Sequence, residues 1–123
     1  MSARILICDD EPFILESLSY IAKQGGYDYV TAEDGMQSLA MARKEKPVLM
    51  FLDLNMPKLT GYEVCERLKS DPETKDIHII MLTARGQERD EQMGIEAGAN
   101  EYLTKPFSPR ALRKKMDEIL GKA

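Results

Sequence analysis

Three aspartates in this 123-residue sequence each follow a short apolar run, and their carboxylates are suited to hold a metal ion. Asp9 and Asp10 follow the run Ile5-Leu6-Ile7-Cys8, and Asp53 follows the run Val48-Leu49-Met50-Phe51-Leu52. Carboxylates that lie close together raise one another's pKa unless a cation intervenes. An all-oxygen set of this kind suits Mg2+, which takes a few carboxylates together with water or phosphate oxygens. The sequence therefore predicts a magnesium site wherever these runs end together.

Two further residues end apolar runs and are suited to act on a phosphoryl group. Lys105 can pair, as a point charge, with Asp53 or with a phosphate built on it. The hydroxyl of Thr83 can donate a hydrogen bond to a phosphoryl oxygen. Taken singly, a solvated surface lysine and a turn-forming threonine are the simpler interpretations. Taken together with the three aspartates, both residues favour phosphoryl chemistry.

The acidic residues also have simpler structural interpretations. Asp53 can cap a turn that runs to Pro57, and the segment Asp9-Asp10-Glu11 can stabilise the positive end of the helix that follows. One acidic residue is enough for this helix, and we assign that role to Glu11. The two aspartates then remain for the metal ion.

The elements that position these residues follow from the pattern of hydrophobicity. Short apolar runs without polar interruption are typical of strands buried on both faces of a parallel sheet. They predict strands over residues 5–8, 29–32, 48–53, 78–82 and 102–104, of which the second is more polar and is placed at a sheet edge. Helical periodicity lies between the strands, so we predict an α/β fold with a doubly wound, five-stranded parallel sheet. The carboxyl ends of such strands meet at one edge, where ligands bind.

Some of the helices carry specific expectations. The helix that begins after Asp34 is predicted to have an inner face made of Met36, Leu39 and Ala40. The segment 87–97 is the weakest predicted helix, because its first half is polar. Ser108 is predicted to cap the last helix, with Pro109 at its first position.

Composition limits the classes of function. With 43% hydrophobic and 31% charged residues, the length suits one globular domain, residues 1–123. A net charge of -4 argues against a broad electrostatic grip on nucleic acid. No apolar run approaches the ~20 residues that span a bilayer, and no signal peptide precedes the first strand. We expect Cys8 and Cys65 to be buried thiols of a cytoplasmic protein, and His78, the only histidine, to be structural.

The order and spacing of these motifs resemble the receiver domain of two-component response regulators. The resemblance covers residues 4–121. It rests on four segments and one glycine: Cys8-Asp9-Asp10-Glu11, Leu52-Asp53-Leu54-Asn55-Met56-Pro57 with the Gly61 that follows, Leu82-Thr83-Ala84 and Leu103-Thr104-Lys105-Pro106-Phe107. It implies a flavodoxin-like, CheY-like fold with the strand order 2-1-3-4-5.

The resemblance implies a role for each acidic residue. Asp53 is similar to the aspartate that is phosphorylated in this family. Asp10 corresponds to a direct ligand of Mg2+ and Asp9 to a ligand that acts through water. Asn55 corresponds to the residue whose backbone carbonyl completes the protein's ligands.

The same resemblance implies a switch. Thr83 and Lys105 correspond to the hydroxyl and the cation that contact the phosphoryl group, and Tyr102 to the aromatic residue that changes rotamer with Thr83. The peptide bond before Pro106 is implied to be cis, a state available mainly to bonds that precede proline.

The function implied is that of a phosphoacceptor signalling domain rather than an enzyme with a separate substrate. The phosphoryl donor is a histidine kinase or a histidine phosphotransfer protein, and the domain assists its own phosphorylation and dephosphorylation. The signal leaves through a protein contact on the face made of residues 87–97, 101–104 and 108–120. No nucleic acid or membrane partner is expected, and the protein is a monomer or a phosphorylation-dependent dimer.

Three alternatives remain. We expect a stand-alone regulator, because no linker pattern is present at residues 121–123. The first alternative is a receiver domain excised from a longer regulator or hybrid kinase. The second alternative is a phosphatase of the haloacid-dehalogenase type, which uses a second aspartate, two residues after its nucleophile, as acid and base. This chain has Asn55 at that position, and an asparagine cannot do that work. A flavin-binding module needs a Ser/Thr-rich phosphate loop after the first strand, where Asp9-Asp10-Glu11 repels phosphate.

Overall fold

A central parallel sheet sets the positions of the residues singled out above. The computed structural model describes residues 4–84 and 96–121. Its strands are β1 (Arg4–Cys8), β2 (Asp28–Ala32), β3 (Leu49–Asp53), β4 (His78–Ala84) and β5 (Glu101–Lys105). All four neighbouring pairs are parallel and the strand order is β2-β1-β3-β4-β5. The predicted order 2-1-3-4-5 is therefore confirmed, with the polar strand β2 at an edge.

Helices cover both faces of this sheet. They are α1 (Pro12–Gln24), α2 (Gly35–Glu45), α3 (Gly61–Lys69) and α4 (Pro109–Leu120). Most of the helix predicted over 87–97 falls on residues 85–95, which lie outside the described residues. None of the described helices is long and apolar enough to cross a membrane.

The strand β3 is buried on both faces, as its unbroken apolar run predicts. Met50 and Leu52 pack in the layer that contains α2 and α3, whereas Leu49 and Phe51 pack in the layer that contains α1 and α4. All five residues of the strand are buried, including Asp53 at its end. The chain therefore delivers Asp53 to the middle of the carboxyl edge of the sheet.

The inner face of α2 differs from the prediction. Met36 is 51% exposed and Ala40 is also exposed, so of the three predicted residues only Leu39 is buried. The buried residues of this helix are Gly35, Ser38, Leu39 and Ala42. A serine can lie in the core here because its hydroxyl donates to the backbone carbonyl of Asp34 at 2.7 Å.

The residues predicted at the amino ends of α1 and α4 occupy the N-cap positions, but only Ser108 forms a capping hydrogen bond. Ser108 caps α4 by accepting a hydrogen bond from the Ala111 N–H at 3.3 Å. Glu11 occupies the N-cap position of α1, as predicted, but its side chain makes no capping hydrogen bond. Its effect on the positive end of the helix stays a prediction. The Glu11 carboxylate lies 3.6 Å from the amine of Lys105.

Three remaining side chains have the structural roles expected of them. Cys8 and Cys65 are buried thiols, and burial raises their pKa values to about 12 and about 11. His78 begins β4, at the amino edge of the sheet, where its Nε2 lies 2.6 Å from the carboxylate of Glu101 on β5. The histidine is therefore at the far edge of the sheet from the three aspartates.

Candidate functional site

Asp9, Asp10 and Asp53 come together at the carboxyl edge of the sheet. One carboxylate oxygen from each lies within 4.8 Å of the others. The reason is that β1 and β3 are neighbours with Cys8 opposite Leu52, so the residues that follow these two positions end side by side. Asp9 is fully buried and Asp53 is 6% exposed, whereas Asp10 is exposed to solvent.

Lys105 reaches this cluster from the end of β5, across the intervening strand β4. Its Nζ lies 2.9 Å from Asp9 Oδ2 and donates to Asp53 Oδ1 at 3.2 Å. With Glu11 at 3.6 Å, one ammonium group is shared by three carboxylates. Negative charge therefore exceeds positive charge in the described part of the site.

The pKa values of these groups follow from burial and from their contacts. Burial and the charge of Asp9 raise the pKa of Asp53, against the opposing effect of Lys105. Burial also raises the pKa of Asp9, although the Glu11 N–H, which donates to Asp9 Oδ1 at 2.9 Å, and Lys105 act in the opposite sense. For Lys105, burial lowers the pKa, but Asp9 and Asp53 outweigh it and leave the pKa raised. Lys105 therefore keeps its positive charge beside the two aspartates.

The donor set fits Mg2+. Three carboxylates supply only oxygen ligands, and hard oxygen donors are those that Mg2+ prefers. One of them, Asp10, is open to solvent, so that water can complete the coordination.

Thr83 and Tyr102 lie on the same face of the sheet. Met81 is opposite Tyr102 in the pairing of β4 with β5, and Thr83 is two residues further along β4. Thr83 is 2% exposed, and Tyr102 packs against the buried cluster under α2 and α3. This placement makes a coupled movement of the two side chains geometrically reasonable, and their role as a switch stays a prediction.

The remaining predicted positions lie in loops around the cluster. Asn55 is exposed, two residues beyond the end of β3. A Cβ atom at Gly61 would lie 2.4 Å from the carbonyl oxygen of Asp53, so only glycine allows the return of the chain past the site. The Lys105–Pro106 peptide bond is cis.

Sequence reasoning missed an exposed aromatic residue beside the site. Phe13 is 75% exposed in the first turn of α1, two residues after Glu11. It borders a surface groove of about 220 Å³, whose other lining residues are Ile14, Ser17, Ile21, Pro106, Phe107 and Pro109. The available signal was that Phe13 is apolar but lies outside the inner face of α1, whose buried residues are Leu18, Ile21 and Ala22.

Comparisons with known proteins agree with this geometry. A sequence profile described as the response regulator receiver domain matches residues 5–117. The chain is 43% identical to the alkaline phosphatase synthesis transcriptional regulatory protein PhoP of Bacillus subtilis, over 100% of this chain and 50% of that protein. The chain spans about half the length of the curated relatives it matches.

Solved structures show the same likeness. The chemotaxis response regulator CheY4 of Vibrio cholerae has a TM-score of 0.89 and 33% identity, over 98% of this chain and 100% of that one. The receiver domain of a sensor histidine kinase from Pseudomonas aeruginosa, with a magnesium ion coordinated in its active site cleft, has a TM-score of 0.89 and 26% identity, over 98% and 99% of the two chains. The profile, the relatives and the fold agree, and the chain belongs to the receiver domain family of two-component response regulators.

Proposed function

We propose that Asp53 accepts a phosphoryl group from the phosphohistidine of a kinase or phosphotransfer protein, at a site that holds Mg2+. The observation that carries the proposal is the convergence of Asp9, Asp10 and Asp53 within 4.8 Å, with Lys105 in contact with Asp53. Asp9, Asp10 and Asp53 would hold the ion together with the backbone carbonyl of Asn55. The magnesium-bound receiver domain with the same fold supports this assignment.

The chemistry follows from the charges of the site. A carboxylate oxygen of Asp53 attacks phosphorus, the bond from phosphorus to the histidine nitrogen breaks, and the imidazole leaves with the electron pair of that bond. Mg2+ held by Asp9, Asp10 and Asp53 would supply positive charge that neutralises the phosphoryl oxygens. Lys105 provides a second positive charge beside the acceptor oxygen. Water later attacks the acyl phosphate, which returns the carboxylate and releases phosphate.

Phosphorylation changes the charge that Lys105 contacts. Phosphorylation of a hydroxyl side chain adds about -1.5 to -2 units of charge at pH 7. Phosphorylation of Asp53 likewise makes the side chain more negative. Lys105 is now held by Asp9, Asp53 and Glu11. Its amine would turn towards the phosphoryl oxygens, and Thr83 would donate its hydroxyl to them, followed by a change of rotamer at Tyr102.

The domain acts as a switch and turns over no separate substrate. A shift of a few kcal/mol in a pre-existing equilibrium is enough to change which partner binds. The output surface is the face made of residues 87–97, 101–104 and 108–120, of which β5 and α4 are described. The net charge of -4 favours a protein over nucleic acid as the target at this face.

A protein donor also needs a surface near Asp53 on which to dock. Phe13 and the groove beside it lie next to the acidic segment of the site and include Phe107 from the loop after Lys105. An exposed aromatic residue beside a groove is typical of a protein-binding position. We assign the docking of the phosphohistidine donor to this surface.

The test is labelling with a small acyl phosphate donor and Mg2+, followed by intact-mass measurement. Wild-type protein should gain one phosphoryl group that is lost in alkali, and Asp53→Asn should gain none. An equally labile adduct at full yield on Asp53→Asn would mean that another residue is the acceptor. Sustained turnover of a generic phosphate ester by the wild type would instead favour the phosphatase alternative.

A further inference from the structure

The loop that carries Asn55 is held in place by α2. The Gly35 N–H donates to the Pro57 carbonyl at 3.1 Å, and the buried hydroxyl of Ser38 lies 3.8 Å from the Met56 sulfur. The Lys58 amine lies 3.4 Å from Asp34 Oδ2. Three consecutive residues of the loop therefore contact the first turn of one helix.

The approach of loop and helix is too close for any residue but glycine at position 35. A Cβ atom there would lie 2.0 Å from the carbonyl oxygen of Leu59. Leu59 is itself buried, at 8% exposure, in the cluster under α2. Packing thus presses the end of the loop directly onto the backbone of the helix.

Lys58 lies at the strained point of this loop. Its φ is 74°, in the left-handed region that side chains disfavour. The Leu59 N–H donates to the Pro57 carbonyl at 2.9 Å, which closes a three-residue turn around Lys58, and turns of this sign are rare because they are strained. Contacts outside the loop must therefore maintain this conformation.

We propose that the first turn of α2 is a positioning element for the metal site, and that the Asp34–Lys58 ion pair holds the Asn55 loop in the conformation that binds Mg2+. The inference rests on the proposed function, in which the backbone carbonyl of Asn55 is a ligand of Mg2+. Without the ion pair, the strained turn can relax, and the carbonyl then spends less time in the binding position. Neither Asp34 nor Lys58 touches the metal in this proposal.

The side chain of Asp34 has two contacts that substitution can separate. It accepts a hydrogen bond from the Gln37 N–H at 2.7 Å, which caps α2, and it also pairs with Lys58. Asp34→Ser retains a good N-cap and removes only the charge. Lys58→Met removes the other half of the pair, and Lys58→Arg retains it.

The experiment is a magnesium titration of these variants, monitored by the chemical shifts of backbone amides in NMR spectra. The salt concentration is about 0.15 M, at which long-range charge effects are screened. We expect both Asp34→Ser and Lys58→Met to weaken Mg2+ binding about threefold, since exposed ion pairs have small energies. The double variant should bind as weakly as either single variant, and Lys58→Arg should bind as the wild type does. Unfolding midpoints in metal-free buffer should stay close to that of the wild type.

The direction of the change in Mg2+ affinity distinguishes a positioning role from a purely electrostatic effect. Loss of a cation near an acidic site should tighten Mg2+ binding, so a purely electrostatic effect would make Lys58→Met bind more tightly and Asp34→Ser more weakly. Lys44→Met, on an exposed residue later in α2, is the matched control for charge removal. Opposite signs, additive effects or unchanged affinities would each overturn the inference.

Asp10→Ala distinguishes a failure here from a failure of the proposed function. If the wild type binds Mg2+ and Asp10→Ala does not, the site is as proposed, and unaffected ion-pair variants overturn only the positioning role. If the wild type binds no Mg2+, or if Asp10→Ala binds it equally well, both the metal site and the inference are overturned.

Discussion

Lys105 Nζ lies 3.2 Å from Asp53 Oδ1, although the two residues are separated by 52 positions in the chain and by strand β4 in the sheet. The contact exists because parallel strands end at one edge and because the side chain of lysine is long enough to span a neighbouring strand. The same amine contacts Asp9, the most deeply buried carboxylate of the cluster. Lys105 therefore offsets part of the negative charge of the site.

Loss of this lysine should destabilise the metal-free protein. In Lys105→Ala the buried carboxylate of Asp9 loses its cation, and breaking a buried pair costs about 3–5 kcal/mol when both partners are fully desolvated. Because the Lys105 side chain is 18% exposed, we expect a smaller loss of unfolding free energy. Urea unfolding at pH 7 should show this loss, and saturating Mg2+ should restore much of it. An equal loss in Lys44→Ala would show that charge at large, not this contact, is responsible.

Removal of Asp10 should have the opposite effect in metal-free buffer. Asp10→Ala lowers the repulsion among the three carboxylates, so its metal-free stability should equal or exceed that of the wild type. Wild-type protein should gain about 2.7 kcal/mol of unfolding free energy at a Mg2+ concentration of 100 times the Kd, and the variant should gain almost none. Thermal or urea unfolding with and without Mg2+ measures both. Glu16→Gln, on an exposed acidic residue of α1, serves as the control and should respond to Mg2+ as the wild type does.

The acidic cluster could be predicted from the sequence, whereas the contacts that hold the surrounding residues in place could not. Asp53 follows an unbroken apolar run, and the rule that parallel strands end together places it at the same edge as Asp9. That β1 and β3 are neighbours came from the strand order implied by the family resemblance. The contact of Glu11 with Lys105 depends on which of two partners a flexible side chain takes, and local pattern does not decide that. The burial of Ser38 depends on its bond to the Asp34 carbonyl, and the fit of Gly35 against Leu59 arises only when loop and helix pack.

A second ion-pair cluster, far from the aspartates, should make stability depend on pH. Burial alone would raise the pKa of Glu101, but Lys115 and His78, both in contact with its carboxylate, outweigh burial and lower it. A carboxyl group with a lowered pKa in the folded state stabilises the protein above its unfolded pKa, about 4.3, and this contribution is lost as pH falls through the folded pKa.

Glu101→Gln should therefore lower the unfolding free energy at pH 7 by roughly 0.5–1 kcal/mol, and the difference should close below about pH 4. Urea unfolding of both proteins across pH 3 to 7 measures this. Glu96→Gln, on an exposed glutamate of the described chain, is the control for the loss of one negative charge. A constant difference over the whole range would mean that packing, and not ionisation, explains the loss.

Substitution of Phe13 in the proposed docking surface should affect phosphoryl transfer from a protein donor but not from a small-molecule donor. Phe13→Ala removes an aromatic side chain that is 75% exposed, so the fold should be little affected. Labelling by a small acyl phosphate should be unchanged, whereas transfer from a phosphorylated histidine domain that labels the wild type should fall about tenfold, as for loss of a modest hot spot. Met36→Ala, which changes an exposed apolar residue on α2, is the control. Equal losses with both donors would place Phe13 in the chemistry of the site and not in docking.

The route from the site to the output surface should depend on the buried hydroxyl of Thr83. Beryllofluoride, which takes the place of the phosphoryl group on Asp53, should shift the amide signals of β5 more than those of α1. Thr83→Ala should retain the adduct but shrink the shifts in β5, because no hydroxyl remains to contact the adduct. Thr104→Ala is the matched control, since Thr104 is opposite Thr83 on β5 but exposed. If the two variants behave alike, or if α1 responds as strongly as β5, the signal does not pass through Thr83 and Tyr102.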